Sequence, residues 1–221
     1  MTRLQTEQVN RAVRSAMERA ERADHVTVVA VSKYMDVETT QDLINTGVRH
    51  LGENRVDKFL DKYQQIHHPD LTWHFIGSLQ RRKVKDVIDY IDYFHALDSL
   101  TLAQEIQKRA SKVVKCFLQV NISGEESKHG FTPQEVLESL PTIAELDKIE
   151  VVGLMTMAPF EASPNQLHQI FAATRQLRDQ LQDKQLKNMP LTELSMGMSG
   201  DFAIAIQEGA SFVRIGSLFF E

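Results

Sequence analysis

The sequence predicts an α/β protein, a single (β/α)8 TIM barrel with one extra helix at its N-terminus. Three observations favour this fold. Strand-like and helix-like segments alternate strictly along the 221 residues, which is typical of parallel strands joined by right-handed helical crossovers. Eight strand-like segments can be counted in the sequence. The chain also has about the length at which eight such units form one closed barrel.

The helices are predicted from apolar residues that recur every three or four positions. In the first, Val9, Val13 and Met17 lie four residues apart, which places them on one face of a helix. The predicted helices are residues 4–22, 36–46, 53–66, a segment that begins near 79, 99–111, 133–146, 164–186 and 199–208.

The strands are predicted from runs of β-branched and aromatic residues. The first run, residues 25–31, is almost entirely apolar or β-branched, as expected of a parallel strand that is buried on both faces. The predicted strands are residues 25–31, 48–51, 71–76, 90–95, 113–120, 149–154, 191–194 and 211–215. An open doubly wound sheet is the alternative, but the glycine-rich fingerprint of that fold is absent after the first strand. Without a linker or repeat, residues 1–221 are expected to form one domain.

Composition excludes several classes of function. The net charge of -5 gives no basic surface for nucleic acid, and no leader or membrane-spanning segment is apparent, so a cytoplasmic protein is expected. The single cysteine, Cys116, lies in an apolar run and is expected to be a packed thiol. The eight histidines show no metal-binding spacing. His74 and His95 fall on predicted strands and are expected to be packed or hydrogen-bonded rather than catalytic.

The strand ends are the places to search for chemistry, because barrel enzymes carry their sites at the C-terminal ends of the strands. Lys33 follows the first strand directly. An apolar surrounding disfavours a charged ammonium, and a neutral lysine amine forms Schiff bases with carbonyl compounds. A lysine that simply extends to solvent is the alternative.

The segments after the last two strands resemble the phosphate site that recurs in this fold. Ser199 is a candidate N-cap of the next helix, where backbone N–H groups would face an anion. Gly216 lets the backbone approach a ligand closely, and Ser217 adds a hydroxyl. Ordinary turn and capping chemistry is the alternative explanation.

Together, the lysine and the phosphate site predict a phosphorylated carbonyl ligand. Pyridoxal 5'-phosphate (PLP) is one such ligand, and a phosphosugar bound by an aldolase is another. Arg214 lies two residues before Gly216, so alternation along the strand points its side chain into the barrel. An arginine beside the pyridine nitrogen of PLP would keep that nitrogen unprotonated and weaken the cofactor as an electron sink.

Seven motifs, in order along nearly the whole chain, resemble the YggS/PROSC family, the pyridoxal phosphate homeostasis proteins. They are Ala30-Val31-Ser32-Lys33, Leu51-Gly52-Glu53-Asn54, Trp73-His74-Phe75-Ile76-Gly77, Val120-Asn121-Ile122-Ser123-Gly124-Glu125, Gly153-Leu154-Met155-Thr156-Met157, Leu194-Ser195-Met196-Gly197-Met198-Ser199 and Val213-Arg214-Ile215-Gly216.

The resemblance implies a barrel like the N-terminal domain of alanine racemase and a role in binding, buffering or delivering PLP, with no established enzymatic reaction. It also implies a function for each candidate residue. Lys33 would hold PLP as a Schiff base, and Arg214 would face the pyridine nitrogen. The phosphate would lie on Ser199, Gly216 and Ser217, and Asn54 would line the ring pocket.

The sequence departs from the family pattern at four places, and the role of Lys128 is open. Arg82 stands where the family usually has an asparagine, and the C-terminal segment Leu218-Phe219-Phe220-Glu221 lacks the usual glycine. Ser217 replaces the usual threonine but keeps a hydroxyl, and Tyr34 follows Lys33 where a small residue is usual. Lys128, in the segment after strand five, is a candidate second amine near the pocket.

A PLP-dependent racemase-like enzyme is the alternative function, but racemases of this type use a second base from a further domain and a partner subunit. The sequence ends soon after strand eight, so we do not expect that second base. We expect a monomer. An aldolase that uses Lys33 without PLP is the third possibility. Apo forms of PLP enzymes are the expected protein partners.

Overall fold

A computed structural model describes residues 3–125 and 129–219. Eight parallel strands follow one another in chain order around a closed barrel, which confirms the predicted fold. The strands are β1 (Thr27–Val31), β2 (His50–Glu53), β3 (Thr72–Phe75), β4 (Tyr93–Leu97), β5 (Val114–Gln119), β6 (Ile149–Met155), β7 (Glu193–Met198) and β8 (Phe212–Ile215). The first and last strands pair along Thr27–Ala30 and Phe212–Ile215, which closes the barrel.

Helices surround the barrel, and the extra N-terminal helix is present as predicted. They are α1 (Arg3–Arg19), α2 (Val37–Asn45), α3 (Val56–Gln65), α4 (Val84–Val87), α5 (Leu100–Arg109), α6 (Pro133–Ala144), α7 (Pro164–Gln182) and α8 (Phe202–Gln207). Helix α1 buries Val9, Val13 and Ala16 and packs against α8. Its apolar stripe therefore covers one side of the barrel's helical layer.

Several predicted boundaries were wrong, each for a local reason. Strand β2 runs over residues 50–53 rather than 48–51, and β7 over 193–198 rather than 191–194. Both strands contain glycine and polar residues that strand propensity disfavours, and burial between neighbouring strands overrides that propensity. Leu191 has a left-handed backbone with φ of 49°, which is incompatible with a strand. Helix α7 stops at residue 182 rather than 186, and Gln185 is likewise left-handed.

The core fills the barrel and the layer between barrel and helices. Cys116 is fully buried in it, which confirms the packed thiol. In the described parts of the chain, no helix combines the length and apolar character that crossing a membrane requires.

Candidate functional site

A cavity of about 1300 Å³ opens at the C-terminal ends of the strands, where barrel sites are expected. All six candidate residues line it, namely Lys33, Asn54, Ser199, Arg214, Gly216 and Ser217. The closed barrel thus brings to one place residues from both ends of the sequence. Their roles toward a ligand stay predictions. Lys128 lies outside the described residues.

Lys33 lies in the turn that follows β1 and is partly buried. Its Nζ atom is 4.9 Å from the centre of the Tyr34 ring. The Tyr34 side chain is 85% exposed, so the tyrosine that departs from the family pattern stands at the cavity mouth beside the lysine. The amine is therefore within reach of both the cavity and solvent.

A buried ion pair lies behind Lys33, and sequence analysis missed it. Lys62 of α3 pairs with Oε1 of Glu53 at the end of β2 and donates to the carbonyl oxygen of Ser32 at 2.6 Å. The Ser32 hydroxyl donates to the same Glu53 oxygen at 2.5 Å. The sequence predicts that Glu53 begins a helix, whereas it ends β2, and this difference concealed the pairing. These bonds fix the backbone immediately before Lys33, and they occupy the ammonium of Lys62.

Arg214 reaches the cavity from β8 and is almost wholly buried. It donates from Nη1 to Ser195 Oγ at 2.7 Å and from Nη2 to the Thr156 carbonyl oxygen at 3.1 Å. Burial lowers the pKa of its guanidinium to about 10, and nearby Asp201 opposes that change. Arg214 therefore keeps its positive charge at neutral pH, and two of its five N–H groups are fixed by the protein.

A hydrogen-bonded chain continues from Ser195 through the inside of the barrel. Ser195 Oγ lies 2.8 Å from His95 Nδ1, His95 Nε2 lies 2.9 Å from His74 Nδ1, and His74 Nε2 lies 3.0 Å from His50 Nδ1. We call these three residues, His50, His74 and His95, the histidine column. The expectation that His74 and His95 are hydrogen-bonded is confirmed, but their connection to Arg214 had no signal in the sequence.

The column rises through the barrel one strand at a time. His50 pairs with Thr72, and His74 stands two residues further along β3. His74 in turn pairs with Tyr93, and His95 stands two residues further along β4. Each step therefore moves toward the C-terminal ends of the strands. Burial lowers the pKa of His50, and lowers the pKa values of fully buried His74 and His95 much further.

The loop after β7 differs from the prediction in one respect. The N-cap of α8 is Asp201 and not Ser199, because the turn continues for two more residues. Gly197, near the end of β7 and before this turn, lets the strand approach α8 closely: its φ is +98°, and a Cβ there would lie 2.7 Å from the Cβ of Ala205. Ser199 instead accepts a hydrogen bond from the Gly216 amide at 3.2 Å. The serine hydroxyl thus joins the loops after β7 and β8 at the cavity.

Asn54 is held at the cavity by a close backbone approach. A Cβ on Gly77 would lie 2.3 Å from the Asn54 carbonyl oxygen, so only glycine fits beside Asn54. This contact explains the glycine that follows the third strand, which the sequence alone did not explain.

Apolar side chains are exposed around the cavity mouth. Phe160 is fully exposed, and Met157 and Met198 are 39% and 38% exposed. All three line the same cavity. The cavity therefore offers an amine, a buried cation and two polar loops inside an apolar mouth, which suits a small anionic ligand with a reactive carbonyl and a flat ring.

Comparison with known proteins defines the class first. Residues 5–221 match the family model described as alanine racemase, N-terminal domain, so the chain is a barrel of that type. An alanine racemase structure from Clostridium difficile is 17% identical with a TM-score of 0.75, and the match covers 94% of this chain and 56% of that chain. At this identity, the likeness concerns the fold alone.

More similar relatives define the family. A pyridoxal phosphate homeostasis protein of Aquifex aeolicus is 42% identical over 94% of this chain and 92% of its own length. The structure of PipY from Synechococcus elongatus, solved with PLP bound, is 33% identical with a TM-score of 0.84, and the match covers 94% of this chain and 98% of that chain. The chain belongs to the family of pyridoxal phosphate homeostasis proteins.

Proposed function

We propose that this protein binds PLP through a Schiff base on Lys33 and takes part in the homeostasis of that cofactor. One observation carries the proposal: Lys33, Arg214 and the loops of Ser199 and Gly216 line a single cavity. The PLP bound to PipY and the names of the curated relatives support it.

The cavity fits the parts of PLP. The cofactor supplies an aldehyde for the lysine and a ring that withdraws electrons. Lys33 provides the amine, Ser199 and Ser217 provide hydroxyl groups for the phosphate, and Gly216 lets the backbone of the last loop approach it closely. Asn54 would border the ring. Arg214 is charged and donates only, so a pyridine nitrogen beside it would accept a hydrogen bond and stay unprotonated.

This arrangement favours holding the cofactor over reacting with it, because an unprotonated pyridine nitrogen makes a poor electron sink. We therefore include in the proposal that the protein has no reaction of its own. We further propose a single-domain monomer that acts in the cytoplasm and transfers PLP to apo forms of PLP enzymes.

The first experiment tests the Schiff base. The purified protein is incubated with PLP, its visible absorbance is recorded, and the imine is reduced with borohydride before peptide mapping. We expect a yellow protein with the label on Lys33. The Lys33→Arg variant should stay colourless. Lys115→Arg is the matched control, since Lys115 also lies over an aromatic ring, 5.3 Å from that of Tyr93, and this variant should remain yellow. A colourless wild-type protein, or a label on Lys62 or Lys128, would refute the proposal.

The second experiment tests the absence of a reaction. The PLP-loaded protein is incubated separately with L- and D-amino acids, and interconversion is followed by chiral chromatography. Steady turnover that disappears in Lys33→Arg would favour the racemase-like alternative. Reactivation of an apo PLP enzyme by the loaded protein, faster than by the same amount of free PLP, would support transfer.

A further inference from the structure

We infer that the histidine column and Ser195 form a hydrogen-bonded chain of one fixed direction that positions Arg214 and stabilises its charge. Ser195, His95, His74 and His50 are then positioning residues, since none of them lines the cavity. The effect of this hydrogen-bonded chain on cofactor binding rests on the proposed function, whereas the direction of its hydrogen bonds can be tested without any ligand.

The direction follows from counting protons. Arginine can only donate, so Ser195 Oγ accepts from Nη1 of Arg214. In the described residues, the other partner of the serine hydroxyl is Nδ1 of His95. We assign the hydroxyl proton to that nitrogen, because it would otherwise be buried without an acceptor. His95 then carries its own proton on Nε2 and donates to Nδ1 of His74.

The same reasoning repeats one step further. His74 accepts at Nδ1, so it carries its proton on Nε2 and donates to Nδ1 of His50. His50 is left as the Nε2–H tautomer. Both ring nitrogens of His74 and of His95 are thereby paired in the neutral forms, which agrees with the lowered pKa values of these two residues. Every hydrogen bond in the chain points away from Arg214.

This direction also gives the buried cation favourable electrostatics. In each neutral imidazole, the unprotonated Nδ1 is the negative end of the dipole, and in the column it faces the Arg214 side. Within residues 3–125 and 129–219, Arg214 forms no ion pair, and its fixed hydrogen bonds go to Ser195 and Thr156. The aligned dipoles therefore stabilise the positive charge of Arg214. A paired carboxylate would neutralise that charge, whereas the dipoles do not.

Aromatic rings isolate the column from water. Tyr93 stacks on His74 with ring centres 4.8 Å apart, and Phe117 stacks on His95 at 4.4 Å. Phe212 packs near both histidines, with ring centres about 6 Å away. In such a surrounding each hydrogen bond is strengthened, and losing one link leaves buried groups unsatisfied. Only His50, at the far end, is half-buried.

The first test uses the protein without ligand. Nitrogen-15 NMR of labelled histidine distinguishes the two neutral tautomers and the imidazolium. We expect His50, His74 and His95 as Nε2–H tautomers at neutral pH, and separate, slowly exchanging Nη signals for Arg214. A proton on Nδ1 of His95 or His74, or a charged His95, would overturn the inference.

The second test removes the link between the column and Arg214. Ser195→Ala should merge or broaden the Arg214 Nη signals and weaken PLP binding about tenfold or more, as expected when a charged group loses a buried hydrogen bond. Ser195→Thr keeps the hydroxyl and should restore both. Phe117→Leu removes the ring stacked on His95 but no hydrogen bond, so it should lower stability while leaving the Arg214 signals and the PLP affinity close to wild type.

The outcomes separate the two proposals. Unchanged Arg214 signals and unchanged PLP affinity in a folded Ser195→Ala variant would refute the positioning role. A wild-type protein that shows the expected tautomers and Arg214 signals but binds no PLP would refute the proposed function and leave the chain's direction supported.

Discussion

Acidification should destabilise this protein through two buried histidines, His74 and His95. Burial keeps the pKa values of His74 and His95 far below the ordinary value of 6.5. Below pH 6.5 the unfolded chain takes up a proton on each imidazole, whereas the folded protein does not. Stability is therefore fully present above this value and is lost as the pH falls below it.

The size of the effect follows from proton linkage. If the folded-state pKa lies far below the range, lowering the pH from about 7.5 to about 5.5 costs roughly 1.4 kcal/mol for each histidine. His74 and His95 together should lower the free energy of unfolding by about 2.7 kcal/mol over that range. This is a large fraction of the ~5–15 kcal/mol that stabilises a typical domain.

The assay is urea unfolding followed by circular dichroism at several pH values, with the slope of stability against pH as the readout. His67→Gln is the matched control, since it removes an exposed imidazole, and it should retain the wild-type slope. His74→Phe should be less stable overall but should lose about half of the pH dependence. If the wild-type stability is flat between these pH values, the two imidazoles are not held neutral and the reasoning fails.

Three further predictions concern other parts of the molecule. Lys62→Met leaves the buried Glu53 carboxylate without its partner and should cost about 3–5 kcal/mol in urea unfolding, and adding Glu53→Gln should recover part of this loss. Gly77→Ala places a Cβ against the Asn54 carbonyl oxygen, so we expect a loss of about 1–3 kcal/mol and weaker PLP binding, and equal binding would contradict the role given to Asn54. Burial raises the pKa of the Cys116 thiol, so a thiol reagent should label it only as fast as the protein unfolds, with labelling in urea as the control.

The fold could be predicted because its signals are local. The β-branched run before Lys33 and the alternation of strands and helices are both properties of short segments. The candidate site could be predicted for the same reason, since each of its residues lies near or just after the C-terminal end of a strand, and a closed barrel brings those ends together at one face. The seven family motifs then favoured PLP over the other phosphorylated carbonyl compounds.

The hydrogen-bonded networks could not be predicted, because they depend on register between distant segments. His74 and His50 are 24 residues apart and Ser195 and His95 are 100 apart, and a shift of one residue in any strand would turn a side chain to the other face. Glu53 was assigned to the wrong element for a related reason. A buried carboxylate can be predicted in a strand only when the residue that pairs with it is known. For Glu53 that residue is Lys62, which lies on the next helix.

The pairing of β1 with β8 affects when the newly synthesised protein can first bind its cofactor. Lys33 follows β1 and Arg214 lies on the neighbouring β8, at the junction of the barrel, yet the two residues are 181 positions apart in the sequence. During synthesis the amine of Lys33 emerges well before the guanidinium of Arg214, so a chain interrupted between the two has no complete site for the cofactor. A ligand that contacts both sides of this junction stabilises only the finished barrel. The yellow colour of the PLP Schiff base would then indicate that a newly made molecule has completed its folding.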